Sequence, residues 1–151
     1  MGAARWCILH AGLELARRSV EEALQHQDTL ASPDEVGRYL ALSLQHSPQE
    51  IFMVLFLDSR NQLLAAEELF RGTLAQTAVY PREVVRRALE RNAAAVILAH
   101  NHPSGLPEPS QADKHLTSVL QRALQSVDIP VLDHLIVGSG RRFSFAEHGL
   151  L

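Results

Sequence analysis

The seven residues Ile51–Leu57, Ile-Phe-Met-Val-Leu-Phe-Leu, contain no polar position. A strand with one face in water alternates apolar and polar side chains. An unbroken run between Pro48 and Asp58-Ser59-Arg60-Asn61 therefore reads as a strand buried on both faces. Residues 94–99, Ala-Ala-Val-Ile-Leu-Ala, read the same way. Inner strands covered on both sides need helices above and below, which places the chain in the α/β class, as a mixed sheet sandwiched by helices.

The helices are legible from their starts. In Ser32-Pro33-Asp34-Glu35, Ser32 reads as N-cap, Pro33 as the first helical residue and Glu35 as the acid three residues after the cap. Val36, Tyr39, Leu40 and Leu44 then form the buried stripe of a helix over 33–46. Pro81 opens another helix, with Val84, Val85, Ala88 and Leu89 on one side and Arg82, Arg86, Arg87 and Arg91 on the rest. Ser110 begins a third, with Leu116, Val119, Leu120, Ala123 and Leu124 facing inward. Ahead of these, residues 8–26 carry Ile8, Leu15, Ala16, Val20, Ala23 and Leu24 at amphipathic spacing and read as a helical arm. Residues 62–70 return from the turn at 58–61, and further strands are expected at about 130–138 and 141–145.

With 151 residues and 46% apolar content, the chain suffices for one sizeable core. Fourteen Lys and Arg stand against 17 Asp and Glu, a net charge of -3, so no general field draws it to nucleic acid or to anionic membrane. The longest apolar run falls far short of the ~20 residues of a spanning helix, and no signal-like stretch is seen at the N-terminus. The single cysteine, Cys7, excludes an internal disulfide and fits a reducing compartment, so a cytoplasmic location is expected.

Residues 100–113 read His-Asn-His-Pro-Ser-Gly-Leu-Pro-Glu-Pro-Ser-Gln-Ala-Asp. Two histidines one residue apart share a face of an extended backbone, and Asp113 can return from the next segment as a third ligand. His100, His102 and Asp113 would thus hold Zn²⁺ with one position open for water, whereas a structural zinc site needs a fourth protein ligand. Ser110 and Asp113 also have the spacing of a helix capping box, and either alone reads that way. The two roles are compatible.

His-x-His-Pro with a trailing Ser-x-x-Asp resembles the JAMM motif of the MPN+ metallopeptidases. The RadC branch is resembled more specifically, through His-Asn-His-Pro-Ser-Gly at 100–105, Pro-Ser-Gln-Ala-Asp at 109–113, Tyr-Pro-Arg-Glu-Val at 80–84, Arg-Gly-Thr-Leu at 71–74 and Leu-Asp-His at 132–134. The likeness runs from about residue 32 to the C-terminus, which divides the chain into an arm at 1–31 and a JAMM domain at 32–151. It implies a cytidine-deaminase-like fold and zinc-dependent hydrolysis of peptide or isopeptide bonds. It also implies a glutamate ahead of the first strand as general base and then general acid, for which Glu50 is the match. Ser110 would hydrogen-bond the oxyanion. Asp133 and His134 match a family motif without an implied role. A structural or supporting part is expected of them in preference to a third metal ligand.

Other zinc chemistries fit less well. A zinc deaminase needs Cys-x-x-Cys, and a zincin needs His-Glu-x-x-His; the chain has neither. The competing readings are a DNA-repair-associated protein and a non-catalytic zinc-binding domain that docks on another protein. The family's helix-hairpin-helix segment has a counterpart only in residues 8–24, and Arg82, Arg86, Arg87, Arg91, Arg17-Arg18 and Arg141-Arg142 remain as phosphate-binding candidates. A solvated helix face is the simpler account of the first four.

Overall fold

A computed structural model describes residues 2–45, 47–72 and 79–151 of the chain. The elements are α1 (Ala3–His26), a 3-10 turn (Thr29–Ala31), α2 (Pro33–Leu44), β1 (Ile51–Leu57), β2 (Leu63–Arg71), α3 (Pro81–Glu90), β3 (Ala95–Asn101), α4 (Gln111–Gln125), β4 (Val131–Val137) and β5 (Arg142–Ser144). His46, the last residue of the expected second helix, lies outside the described residues, as do Thr73 and Leu74 of the Arg-Gly-Thr-Leu motif.

The five strands form one sheet in the order β2-β1-β3-β4-β5. β3 and β4 are parallel and joined through α4, while the other neighbours run antiparallel, so the sheet is mixed as expected. Successive residues of β1 feed opposite layers. Ile51, Met53, Leu55 and Leu57 pack with Leu24 of α1 and with Val36, Tyr39, Leu40 and Leu44 of α2. Phe52, Val54 and Phe56 pack with Val84 and Ala88 of α3 and Leu120 and Leu124 of α4. This is the physical content of the unbroken apolar run: every residue of β1 is buried, and each fully buried Phe or Leu contributes about 1.5–3 kcal/mol of transfer free energy.

One helix cap and one helix start differ from expectation. α2 begins at Pro33, but the Ser32 hydroxyl makes no cap hydrogen bond. α1 begins at Ala3, five residues earlier than its apolar pattern suggests, and only its last turns touch the core, through Val20 and Leu24. The Arg17 guanidinium lies over the Tyr39 ring at 5.9 Å, whereas Ile8 and Leu15 stand 70% and 68% exposed. Among the described residues no helix is long and apolar enough to cross a membrane.

Candidate metal centre

β3 runs two residues further than the apolar stretch that marks it. His100 pairs with Phe52 of β1 and Ile136 of β4, and Asn101 pairs with Val137, so His100 lies inside the sheet, fully buried, not beyond the strand's end. His102 follows the strand on the same face, with its Nε2 3.0 Å from His100 Nε2.

The loop after β3 is bolted to the β4–β5 turn. The His102 N–H donates to the Val137 carbonyl, the Gly105 N–H to the His102 carbonyl and the Ser139 N–H to the Gly105 carbonyl, each at 2.9 Å. Gly105 has φ +82°, a conformation costly for residues with a Cβ, and a Cβ on Gly138 would run into the Gly105 carbonyl.

Asp113 arrives from the first turn of α4. The Ser110 hydroxyl accepts from the Asp113 N–H at 3.1 Å, while Asp113 Oδ2 accepts from the Ser110 N–H at 2.7 Å and from its hydroxyl at 2.6 Å. The capping box therefore exists, and it aims the carboxylate: Oδ1 lies 3.3 Å from His100 Nε2 and Oδ2 lies 3.4 Å from His102 Nε2. The Ser110 proton points at Asp113 in this arrangement, not at the open cavity.

Electrostatics and hydrogen bonding agree about what this triangle needs. His102 Nδ1 lies 2.9 Å from the Leu106 carbonyl, which can only accept, so Nδ1 carries the proton and a neutral His102 turns the Nε2 lone pair inward. The hydrogen bond with Asp113 raises the His102 pKa against the opposing effect of burial. Burial lowers that of His100, with Asp113 opposing. Burial alone would raise the Asp113 carboxyl, but His100, His102 and the Ser110 hydroxyl outweigh it and hold it well below the usual carboxylate range. Lone pairs and negative oxygens converge on one point, which calls for positive charge. His100, His102 and Asp113 form the one His/Cys/Asp/Glu group among the described residues that could hold a metal ion.

Glu50 belongs to the wall of the same site. With His102, Pro103, Ser104, Ser110, Ala112 and Asp113 it lines a cavity of about 310 Å³, and its charge adds slightly to the upward shift at His102 and slightly opposes the downward shift at His100. The segment that carries it is a turn, not a helix start: the Ser47 hydroxyl donates to the Gln49 carbonyl at 2.8 Å. Asn101, whose side chain points opposite to its two histidine neighbours, holds this turn. It accepts the Ile51 N–H at 2.7 Å and donates to the Gln49 carbonyl at 3.0 Å.

The other acids in the chain's centre are engaged elsewhere. Glu67 accepts from Arg87 and Arg91 at 2.6 Å, Glu68 from Arg71 at 2.7 Å and Glu83 from Arg86 at 3.0 Å. The same contacts pair most of the arginines of α3 with carboxylates, and Arg86 and Arg87 also meet Glu90. Asp133 and His134 are not part of the triangle. Asp133 accepts from the Ala146 N–H at 3.0 Å and from the Ser144 hydroxyl at 2.6 Å, tying β4 to the C-terminal turn, and both His134 ring nitrogens are engaged by neighbours. Thr117 and Asn101 escaped the sequence reading, although Thr117 sits one helical turn beyond Asp113 and Asn101 lies between the two histidines.

A family model described as "RadC-like JAB domain" matches residues 30–150. A UPF0758 protein of Nitrosospira multiformis is 58% identical over the whole chain, which covers 67% of that protein, and one of Stenotrophomonas maltophilia is 59% identical with 65% covered. A UPF0758 protein of Janthinobacterium sp. is 57% identical, again with 67% covered. The chain thus spans about two thirds of the length of these relatives.

Proposed function

Since this chain belongs to the RadC family and carries its JAB domain over residues 30–150, we propose that it is a zinc-dependent hydrolase of peptide or isopeptide bonds. The observation that carries the reading is the convergence of His100 Nε2, His102 Nε2 and the Asp113 carboxylate: the two nitrogens are 3.0 Å apart, Asp113 Oδ1 lies 3.3 Å from His100 Nε2 and Asp113 Oδ2 lies 3.4 Å from His102 Nε2. Tetrahedral zinc with bonds of ~2.0–2.1 Å has ligand–ligand edges of about 3.3 Å. His102 and Asp113 lie on the wall of the same cavity as Glu50 and Ser110.

The ion, when bound, supplies a Lewis acid that polarises the scissile carbonyl and makes water more acidic. Glu50 takes the proton of the attacking water and returns it to the leaving nitrogen. Ser110, on the wall of the same cavity, turns its hydroxyl from Asp113 to the developing oxyanion, a contact typically worth ~3 kcal/mol. The Pro-rich loop and its bonds to Val137 and Ser139 keep His102 in place.

Purified chain, zinc-loaded or stripped with chelator, should be tried on a panel of peptide and isopeptide substrates beside Glu50→Gln. Cleavage that needs zinc and disappears in Glu50→Gln is expected. Cleavage indifferent to both would overturn the reading.

A further inference from the structure

His134 is fully buried on β4 and is the third imidazole of the site region. Its Nε2 lies 2.8 Å from His100 Nδ1, and its Nδ1 lies 2.6 Å from Thr117 Oγ1. Thr117 Oγ1 lies in turn 2.6 Å from the Asp113 backbone carbonyl. A carbonyl can only accept, so the single Thr117 hydroxyl proton goes there and its oxygen accepts from His134. His134 then carries its proton on Nδ1 and offers a lone pair from Nε2. His100 must donate from Nδ1, which leaves its own Nε2 bare, facing His102 and Asp113.

We infer that Thr117 and His134 are positioning residues that lock His100 in the tautomer able to bind a metal through Nε2, an inference that rests on the metal-dependent reading above. The chain of contacts begins at the main chain of Asp113 and returns to within 3.3 Å of its carboxylate, so α4, β4 and β3 fix one another. The His134 ring is held flat between neighbours: Phe145 stacks on it at 4.8 Å with 22° between planes, and Phe52 meets it edge-on at 5.9 Å. Asp133 completes the seat, since its bonds to Ser144 and Ala146 hold Phe145 over the ring. Orientation of a metal-binding imidazole by a donor–acceptor partner at its other nitrogen typically changes metal affinity 10–100-fold.

Two readouts on the whole chain test this. Proton–nitrogen correlation spectra of the metal-free wild type should show His134 and His100 each protonated on Nδ1. Zinc competition against a chromogenic chelator should give Thr117→Val an affinity about 10–100-fold weaker than wild type, with Thr117→Ser restoring most of it. A wild-type His100 protonated on Nε2, or wild-type zinc affinity in Thr117→Val, overturns the inference. The spectra need no variant, so they decide even if Thr117→Val does not fold. Wild type with these tautomers but no zinc affinity would defeat the metal-dependent reading while supporting the tautomer assignment.

Discussion

The Asn101 side chain accepts the Ile51 N–H at 2.7 Å, tying the strand that carries His100 to the residue that follows Glu50. One buried amide thus links β3, which carries His100, to the turn that brings Glu50 to the wall of the cavity. The middle residue of His-Asn-His is explained by the pleat, which turns it away from its neighbours toward the turn at 47–50.

Removing that amide should therefore separate metal binding from turnover. Asn101→Ala leaves the Ile51 N–H without its partner, takes one of two donors from the Gln49 carbonyl, and is expected to cost about 1–3 kcal/mol in denaturant unfolding. Zinc content should stay near one equivalent while amide hydrolysis collapses. Full activity in Asn101→Ala would show that Glu50 is not held by this contact.

Ser110→Ala removes a helix cap and, on the proposed mechanism, an oxyanion donor. Loss of the cap is expected to lower stability by ~1 kcal/mol, and loss of the donor to lower kcat by roughly 100-fold with little change in KM. Steady-state kinetics on any cleaved amide checks the split; an effect confined to KM would assign Ser110 to ground-state binding alone.

Much of this was readable in one dimension, and the failures have physical causes. Period and composition reveal β1, because burial on both faces leaves no polar residue, and the two histidines of the group that could hold a metal ion, because a His-x-His needs only a local extended backbone. The end of β3 is misread because His100 and Asn101 are polar yet paired, their burial made tolerable by Asp113, His134 and the turn at 47–50. The pairing of His100 with His134 cannot be seen from spacing. It depends on the parallel register that sets His100 beside Ile136, two residues along the same face from His134. The apolar positions of α1 mislead in the other direction, since Ile8 and Leu15 fit an amphipathic pattern and find no core.

The carboxylate of Glu14 offers a pH test of α1. It accepts from Arg17 at 2.8 Å and Arg18 at 2.7 Å, and these bonds lower its pKa from 4.5 to about 2. A folded value below the unfolded one means that the contribution is complete above pH 4.5 and is lost as pH falls through about 2. Carboxyl resonances followed by NMR should place the Glu14 midpoint near 2, moving toward 4.5 in Arg17→Gln. An unshifted midpoint in the wild type would contradict the pairing.

For nucleic acid, the carboxylate partners of Arg86, Arg87 and Arg91 leave little free positive charge on α3. Duplex DNA is expected to bind feebly, with slight change between about 50 and 200 mM salt. A steep fall in affinity over that range would reveal phosphate contacts and favour the nucleic-acid reading.

The account stands on three side chains gripping one ion, and zinc titration calorimetry of metal-stripped chain addresses this directly. It predicts one equivalent bound by the wild type and by Glu50→Gln, with binding lost in His102→Ala and Asp113→Ala. Unchanged zinc binding in His102→Ala and Asp113→Ala, or none in the wild type, would contradict it.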